Sequence, residues 1–442
     1  MYFMNYPLQY PKIPSLNDSI GPLNDYVKLK VEYGSNPEEL LSLVEEAEKN
    51  LWDVIKKINS LEENAELTAN EPNSLEEIKS LRPLAQRKLW ENFDETRYKE
   101  KLKGALLGRF AGCTLGAPVE FWTVDAMKEW AEYIGDQFPP VDYWSETKNP
   151  SDLRYGISKF CEYSKKFMNK VPVDDDITYT ILGLMIMEDY GPDFSINDVG
   201  AAWLKYLPYA CTAEDVALKN LKTGMDAMQV ADENNPYCQW IGADIRSDPW
   251  GYLAPGQPEL AAEFAYRDAY ISHRRNGIYG EMYFSAVISA AFETDDTFEA
   301  LKLGLNEIPK ECLLAKDVRW ALETGKKIKD FMDATKAIND RFEGMSQVHT
   351  NLNACATIFG LMIGGDDFDK AISETVSMGY DNDCTAATVG SIFGAAKGFS
   401  AINEKWYKPF NNTVLTYING NPSLEIDNIL DRFEEQAKLI YK

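Results

Sequence analysis

The sequence has no C-x-x-C pair, no long apolar run and a shortage of positive charge. Its seven cysteines, Cys113, Cys161, Cys211, Cys238, Cys312, Cys355 and Cys384, are an odd number and scattered. That argues against a disulfide framework or structural zinc and fits a reducing compartment. No stretch approaches the roughly 18 uninterrupted apolar residues of a membrane helix. Met1 to Pro14 lacks the basic-then-apolar pattern of an export signal, so a soluble, cytoplasmic protein is expected. Against 45 basic residues stand 70 acidic ones, a net charge of −25. Such a surface repels phosphate backbones and anionic membranes, which excludes both as natural partners. Alternating strand-like runs and Asn-Gly hairpin turns are also nearly absent.

What is there is helical. Apolar residues make up 45% of 442, enough for a sizeable core. Asn36, Pro37 and Glu39 mark a helix start, followed by Leu40, Leu41, Val44, Leu51, Trp52, Ile55 and Ile58 at helical spacing. Ser74 with Glu77 opens a shorter helix that Pro83 ends. Residues 1–97 read as a helical extension for packing or assembly into an oligomer, and 98–442 as the functional domain. Three stretches carry small residues four apart: Gly104, Gly108, Gly112, Gly116; Ala356, Gly360, Gly364; and Ala386, Gly390, Gly394, Gly398. Four apart is one helix face. Interior glycine costs roughly 0.5–1 kcal/mol against alanine. The stripes therefore predict helix backbones in close approach, in an all-α, compact orthogonal bundle.

Four elements bear on chemistry. Asp174-Asp175-Asp176 precede Ile177, Ile181, Leu184 and Met185 at helical spacing, with the helix ending near Gly191-Pro192. One carboxylate suffices to cap a helix; three in succession repel one another unless a cation sits among them. Asp381 and Asp383, with Thr385 two further on, stand before a second helix and direct oxygens to one point. Oxygen donors suit a hard divalent cation, and the two clusters together suggest a two-metal site. His273 lies in SHRRNGIYGE, where Asn276, Gly277 and Gly280 predict a tight turn before a helix from Glu281 to Ala291; a free helix N-terminus there can hold phosphate. Pro118 is expected to stop the glycine-striped helix, with Glu120 just beyond. Farther along, Arg246 is either a phosphate ligand or a structural ion-pair partner.

Taken together, GALLGRFAGCTLGAPVE (Gly104 to Glu120), DDDI (Asp174 to Ile177), SHRRNGIYGE and GYDNDCTAA resemble, in order and rough spacing, the motifs of the ADP-ribosylglycohydrolase family. That family includes the dinitrogenase reductase-activating glycohydrolase and the ADP-ribosylarginine and ADP-ribosylserine hydrolases. The resemblance implies a hydrolase that cleaves the glycosidic bond at the anomeric carbon of an ADP-ribosyl or related ribosyl compound, free or attached to protein. It implies two Mg²⁺ or Mn²⁺ ions held by Asp174, Asp175, Asp176, Asp381, Asp383 and Thr385. Glu120, Asp175 and Asp383 would be catalytic. His273, Asn276, Gly277, Tyr279 and Gly280 would hold the diphosphate and distal ribose. Asp174 and Ile177 stand where the family has threonines, Cys113-Thr114 replaces an Asp, and Cys384 aligns with a threonine ligand, marking a divergent branch. Two other readings keep the scaffold: a hydrolase of nucleosides or small glycosides, and a lapsed enzyme that binds ADP-ribose or serves a structural role.

Overall fold

Capping chemistry sets the helix starts of the chain, a computed structural model of which describes residues 8–14 and 16–442. Of the proline-rich tail, residues 1–7 lie outside that description. Two units separate after Ala69. The first, Met1–Ala69, contains α1 (Asn17–Glu32), α2 (Pro37–Asn59) and most of α3 (Ala65–Asn70). Asn36 caps α2 by accepting from the Glu38 amide at 2.9 Å, with Pro37 in the first turn. No residue of α2 is buried, so Leu41, Trp52 and Ile58 of its apolar spacing remain exposed.

In the second unit, Asn70–Lys442, the regular structure is helical apart from two small hairpins, with irregular segments between. In order come α4 (Leu75–Leu81), α5 (Glu95–Gly116), α6 (Val124–Ile134), the antiparallel pair β1 (Leu153–Arg154) and β2 (Ser158–Lys159), α7 (Asp175–Tyr190), α8 (Ile196–Tyr206) and α9 (Thr212–Lys222). Then follow α10 (Asp248–Leu253), α11 (Pro258–Ala269), α12 (Asn276–Ala291), α13 (Thr297–Gly304), α14 (Leu313–Gly325), α15 (Phe331–Arg341), α16 (Thr350–Gly364), α17 (Phe368–Ser377) and α18 (Asn382–Lys397). The antiparallel pair β3 (Thr413–Leu415) and β4 (Ser423–Glu425) leads into α19 (Ile426–Ile440). The all-α expectation holds. Among the described residues no helix is long and apolar enough to cross a membrane. The segment from Glu71 to Trp90 belongs to this unit: Glu71 accepts from the Leu313 amide, Arg82 pairs with Glu259 and Glu307, and Trp90 donates to Glu293. Ser74 caps α4 through the Glu77 amide, as its sequence predicts, and Arg82-Pro83 follows the helix.

The glycine stripes do what their spacing predicts. α5 and α18 run antiparallel, backbone against backbone. A Cβ placed on Gly104 would stand 2.7 Å from the Gly394 carbonyl oxygen, and one on Gly116 would stand 2.5 Å from the Asp383 Cα. Gly108 faces Gly390 and Gly112 faces Ala386 even more closely. The third stripe packs α16 on α17, with Gly360 against Thr375 and Gly364 against Ala371. The pairing runs from Gly104 opposite Gly394 to Gly116 opposite Asp383. The C-terminal end of α5 is thereby brought to the N-terminal end of α18.

α12 departs from expectation. The turn predicted at Asn276 to Gly280 is already the first turn and a half of the helix, and the left-handed residue is Arg275, at φ 50°. Gly277 and Gly280 are there for space: a Cβ on Gly277 would meet the Cys238 carbonyl and the His273 ring, and one on Gly280 would meet Asp244 and Thr350.

Gly112→Val forces a branched side chain into the Ala386 backbone and is expected to cost more than the roughly 1–3 kcal/mol usual for an overpacked core. A thermal melt checks this, and a melting temperature equal to that of the parent contradicts it.

Candidate functional site

The register of α5 on α18 decides where the carboxylates meet. α5 ends at Gly116, a short 3-10 turn covers Ala117–Val119 with Pro118 inside it, and Glu120 follows. Phe121, at φ 60°, donates its amide to the carbonyl of Tyr380, itself at φ 62°. Two non-glycine residues in the left-handed region therefore lock the exit of α5 to the entry of α18. Such strain persists only where the surroundings over-determine it.

The third contributor is α7. Asp174 caps it, its side chain accepting from the Asp176 amide at 3.1 Å. That accounts for one of the three aspartates. Asp175 is half-buried and accepts from the Tyr155 hydroxyl at 2.7 Å. Asp176 is fully buried, with one oxygen 3.1 Å from Arg109 and the other accepting from the Cys384 thiol at 3.0 Å. On α18, Asp383 accepts from the Cys384 amide through one oxygen and pairs with Arg154 at 2.7 Å through the other. Asp381 is buried, and its Oδ1 has no hydrogen-bond partner. Glu120, partly exposed, pairs with Arg154 at 2.5 Å. The structure thus brings together Glu120, Asp174, Asp175, Asp176, Asp381 and Asp383.

Two donor groups emerge, each with ligand atoms within 4.8 Å of one another: Cys113, Asp174 and Asp176, and Asp381, Asp383 and Cys384. Thr385, expected as a ligand, turns its hydroxyl back to the Asp381 carbonyl at 3.0 Å. A helical threonine satisfies itself in this way against the preceding turn, and Cys384 is the side chain that reaches the aspartates. The donor set suits a hard cation, being mostly carboxylate oxygen. The unpartnered Asp381 Oδ1 points the same way, since a buried acceptor is normally satisfied.

Burial is the largest influence on Glu120, Asp174, Asp176 and Asp381. It pushes the carboxyls of Asp174, Asp176 and Asp381 well above the ordinary range, helped by their acidic neighbours and opposed at Asp174 by Arg154 and at Asp176 by Arg109. Glu120 is pushed up to about 7 by burial and then by Asp383, against the pull of Arg154.

The residues around His273 are placed differently. His273, Asn276, Gly277, Tyr279 and Gly280 are all buried. The Asn276 side chain donates to Gln239 at 2.9 Å and accepts from the Leu314 amide, the Tyr279 hydroxyl donates to the Pro72 carbonyl, and His273 Nδ1 lies 2.8 Å from Ser272 Oγ. These polar atoms are spent on internal packing. Arg246 proves to be a structural ion-pair partner, 1% exposed and bound to Glu214, Asp268 and Glu281. Sequence reasoning missed Arg109, Arg154 and Tyr155. Arg109 did carry a signal: it is a charged residue inside a small-residue helix that must be buried.

With this geometry in view, the comparisons with known proteins are decisive on ancestry. The ADP-ribosylglycohydrolase family model matches residues 94–438. The chain belongs to the ADP-ribosylglycohydrolase family. The match includes all four motifs, from the α5 stripe to the α18 aspartates. An uncharacterized protein of Archaeoglobus fulgidus is 24% identical over 313 residues, 70% of this chain and 90% of its own. A solved structure described as an ADP-ribosylglycohydrolase-related protein complex aligns at TM-score 0.49 and 18% identity, over 78% of this chain and 100% of that one.

Raised carboxyl pKa values give a signed pH dependence. The folded chain holds protons that the unfolded chain has released, so this stability is lost as pH climbs through the folded values. Both histidines have lowered values, so only the unfolded chain protonates them, and their opposing effect is partial near pH 6.5 and fades as pH rises. Without divalent cations, the melting temperature should fall between pH 6.5 and about 7.5, and less steeply in Glu120→Gln. Glu214 and Glu307, each raised to about 7 by burial, contribute with the same sign in both proteins. A rising melting temperature, or equal slopes in the two proteins, contradicts this assignment.

Proposed function

We propose that this chain is a divalent-cation-dependent glycohydrolase that cleaves the glycosidic bond at the anomeric carbon of an ADP-ribosyl or related ribosyl compound. The observation that carries the reading is the meeting of six carboxylates at the junction of α5, α7 and α18, with Asp381 Oδ1 unpartnered and Glu120 at the accessible edge. Family membership supports it. Mg²⁺ or Mn²⁺ would be held by oxygens drawn from Asp174, Asp175, Asp176, Asp381 and Asp383, and would supply positive charge that fixes a ribose diol and lowers the pKa of water.

The chain's own groups have separable tasks. Burial and the neighbouring Asp383 push Glu120 up to about 7, a range in which a carboxyl both gives and takes protons efficiently. Glu120 acts on the attacking water. Asp175 is half-buried and oriented by the Tyr155 hydroxyl, so it faces the ribose hydroxyls with a fixed direction. Asp383 is held by Arg154 and the Cys384 amide and stabilises positive charge developing on the sugar. Arg109 holds Asp176 from behind, sharing its guanidinium with Asp248 at 2.6 Å, and so keeps the floor of the site rigid. One observation favours the simpler-riboside reading: the Asn276 to Gly280 segment has its polar side chains engaged internally, and a substrate without diphosphate does not need that segment.

Hydrolysis of ADP-ribosyl-arginine and of simple ribosides, with Mg²⁺ or Mn²⁺ and then with EDTA, tests the proposal. EDTA should abolish turnover, and Asp175→Asn, Asp383→Asn and Glu120→Gln should each lower kcat on the order of 10²–10⁴-fold with unchanged circular dichroism. Turnover that survives both EDTA and these substitutions overturns it.

A further inference from the structure

Arg154 lies in the middle of the acidic centre and comes from none of the helices that carry its motifs. It ends β1, the first strand of the hairpin between α6 and α7. Its Nη1 donates to Glu120 Oε2 at 2.5 Å, and its Nη2 donates to Asp383 Oδ2 at 2.7 Å. The same Nη2 lies 3.0 Å from Asp174 Oδ2, to which Nε also donates, at 3.1 Å. One guanidinium thus ties together the exit of α5, the cap of α7 and the first turn of α18. The side chain is 10% exposed, and its guanidinium lies 5.2 Å from the centre of the Tyr155 ring. The Tyr155 hydroxyl is spent on Asp175, so the ring is anchored beside it.

An arginine carries its charge at every accessible pH, and its planar fork suits several carboxylates at once. The N–H groups of Arg154 use the oxygens of Glu120, Asp174 and Asp383 that an ion among those three residues would need. Arg154 also takes one oxygen from each of the two donor groups, Asp174 from the first and Asp383 from the second. The carboxylates beyond its reach differ. Asp381, 4% exposed, keeps an unpartnered oxygen, and Asp176 Oδ2 faces the Cys384 thiol. Like charges repel across a few ångströms of poorly screened interior, so a second ion beside the guanidinium would have to displace it.

We propose that Arg154 takes the place of one of the two cations for which this centre has donors, so that the chain binds a single divalent ion through the carboxylate oxygens that Arg154 leaves free. This rests on the metal-dependent reading above, and Arg154 is a positioning residue within it. The chain supplies from its own sequence a fixed charge that couples Glu120 to the two aspartate motifs.

The experiment counts Mn²⁺ bound to the full chain after equilibration and desalting, by elemental analysis and by electron paramagnetic resonance. The parent should hold one ion per chain, with the spectrum of an isolated Mn²⁺. Arg154→Lys, which keeps the charge, should also hold one. Arg154→Met, which removes it, should hold two and show the exchange-coupled spectrum of a manganese pair. Two coupled ions in the parent overturn the inference without recourse to any variant and leave the metal-dependent reading standing. One ion in a folded Arg154→Met also overturns it. No ion in the parent defeats the metal-dependent reading itself, and the inference with it.

Discussion

The contact of α5 with α18, glycine backbone on glycine backbone, is the constraint on which the rest depends. Side chains on either surface would hold the helices apart and remove the registration of Gly116 against Asp383. That registration delivers Glu120, four residues past the stripe, to the aspartates that begin α18. Interior glycines cost helix stability, and the cost is met by a dense contact between two long, buried helices. Polarity at the far end is a consequence, since the N-terminus of α18 carries the positive end of its dipole toward Asp381 and Asp383.

Around this axis the unit buries charge in an ordered way. Arg109 on α5 reaches Asp176, Thr180 and the Ile245 carbonyl on one side and Asp248 on the other. It thereby joins α5, α7 and α10 beneath the acidic centre. Arg246 does the same for Glu214, Asp268 and Glu281, joining α9, α11 and α12 away from it. Buried ion pairs seldom add much net stability, but removing one partner is costly. Here they fix the directions in which helices present their functional ends.

Several particulars were legible in the sequence because they are local or periodic. The stripes at Gly104 and Gly390 state their own spacing, and the start and stop of α7 follow from Asp174 and Gly191. Other particulars needed distances between remote residues. A sequence cannot show whether Cys384 or Thr385 faces Asp176, because that depends on the helical phase at the first turn of α18. The Asn276 to Gly280 run reads as a loop from its glycines, yet those glycines serve to admit Cys238, His273 and Asp244 against a helix.

What the sequence by itself determined is the helical class, the close-packed faces and the residue types at each motif. These follow from short-range periodicity and from the chemistry of single side chains. Only the tertiary structure decided how the charges balance: Arg154, from a two-residue strand with no motif of its own, lies among Glu120, Asp174 and Asp383. Ion pairing falls off over a few ångströms, whereas 229 residues separate Arg154 from Asp383. Folding alone brings them within reach.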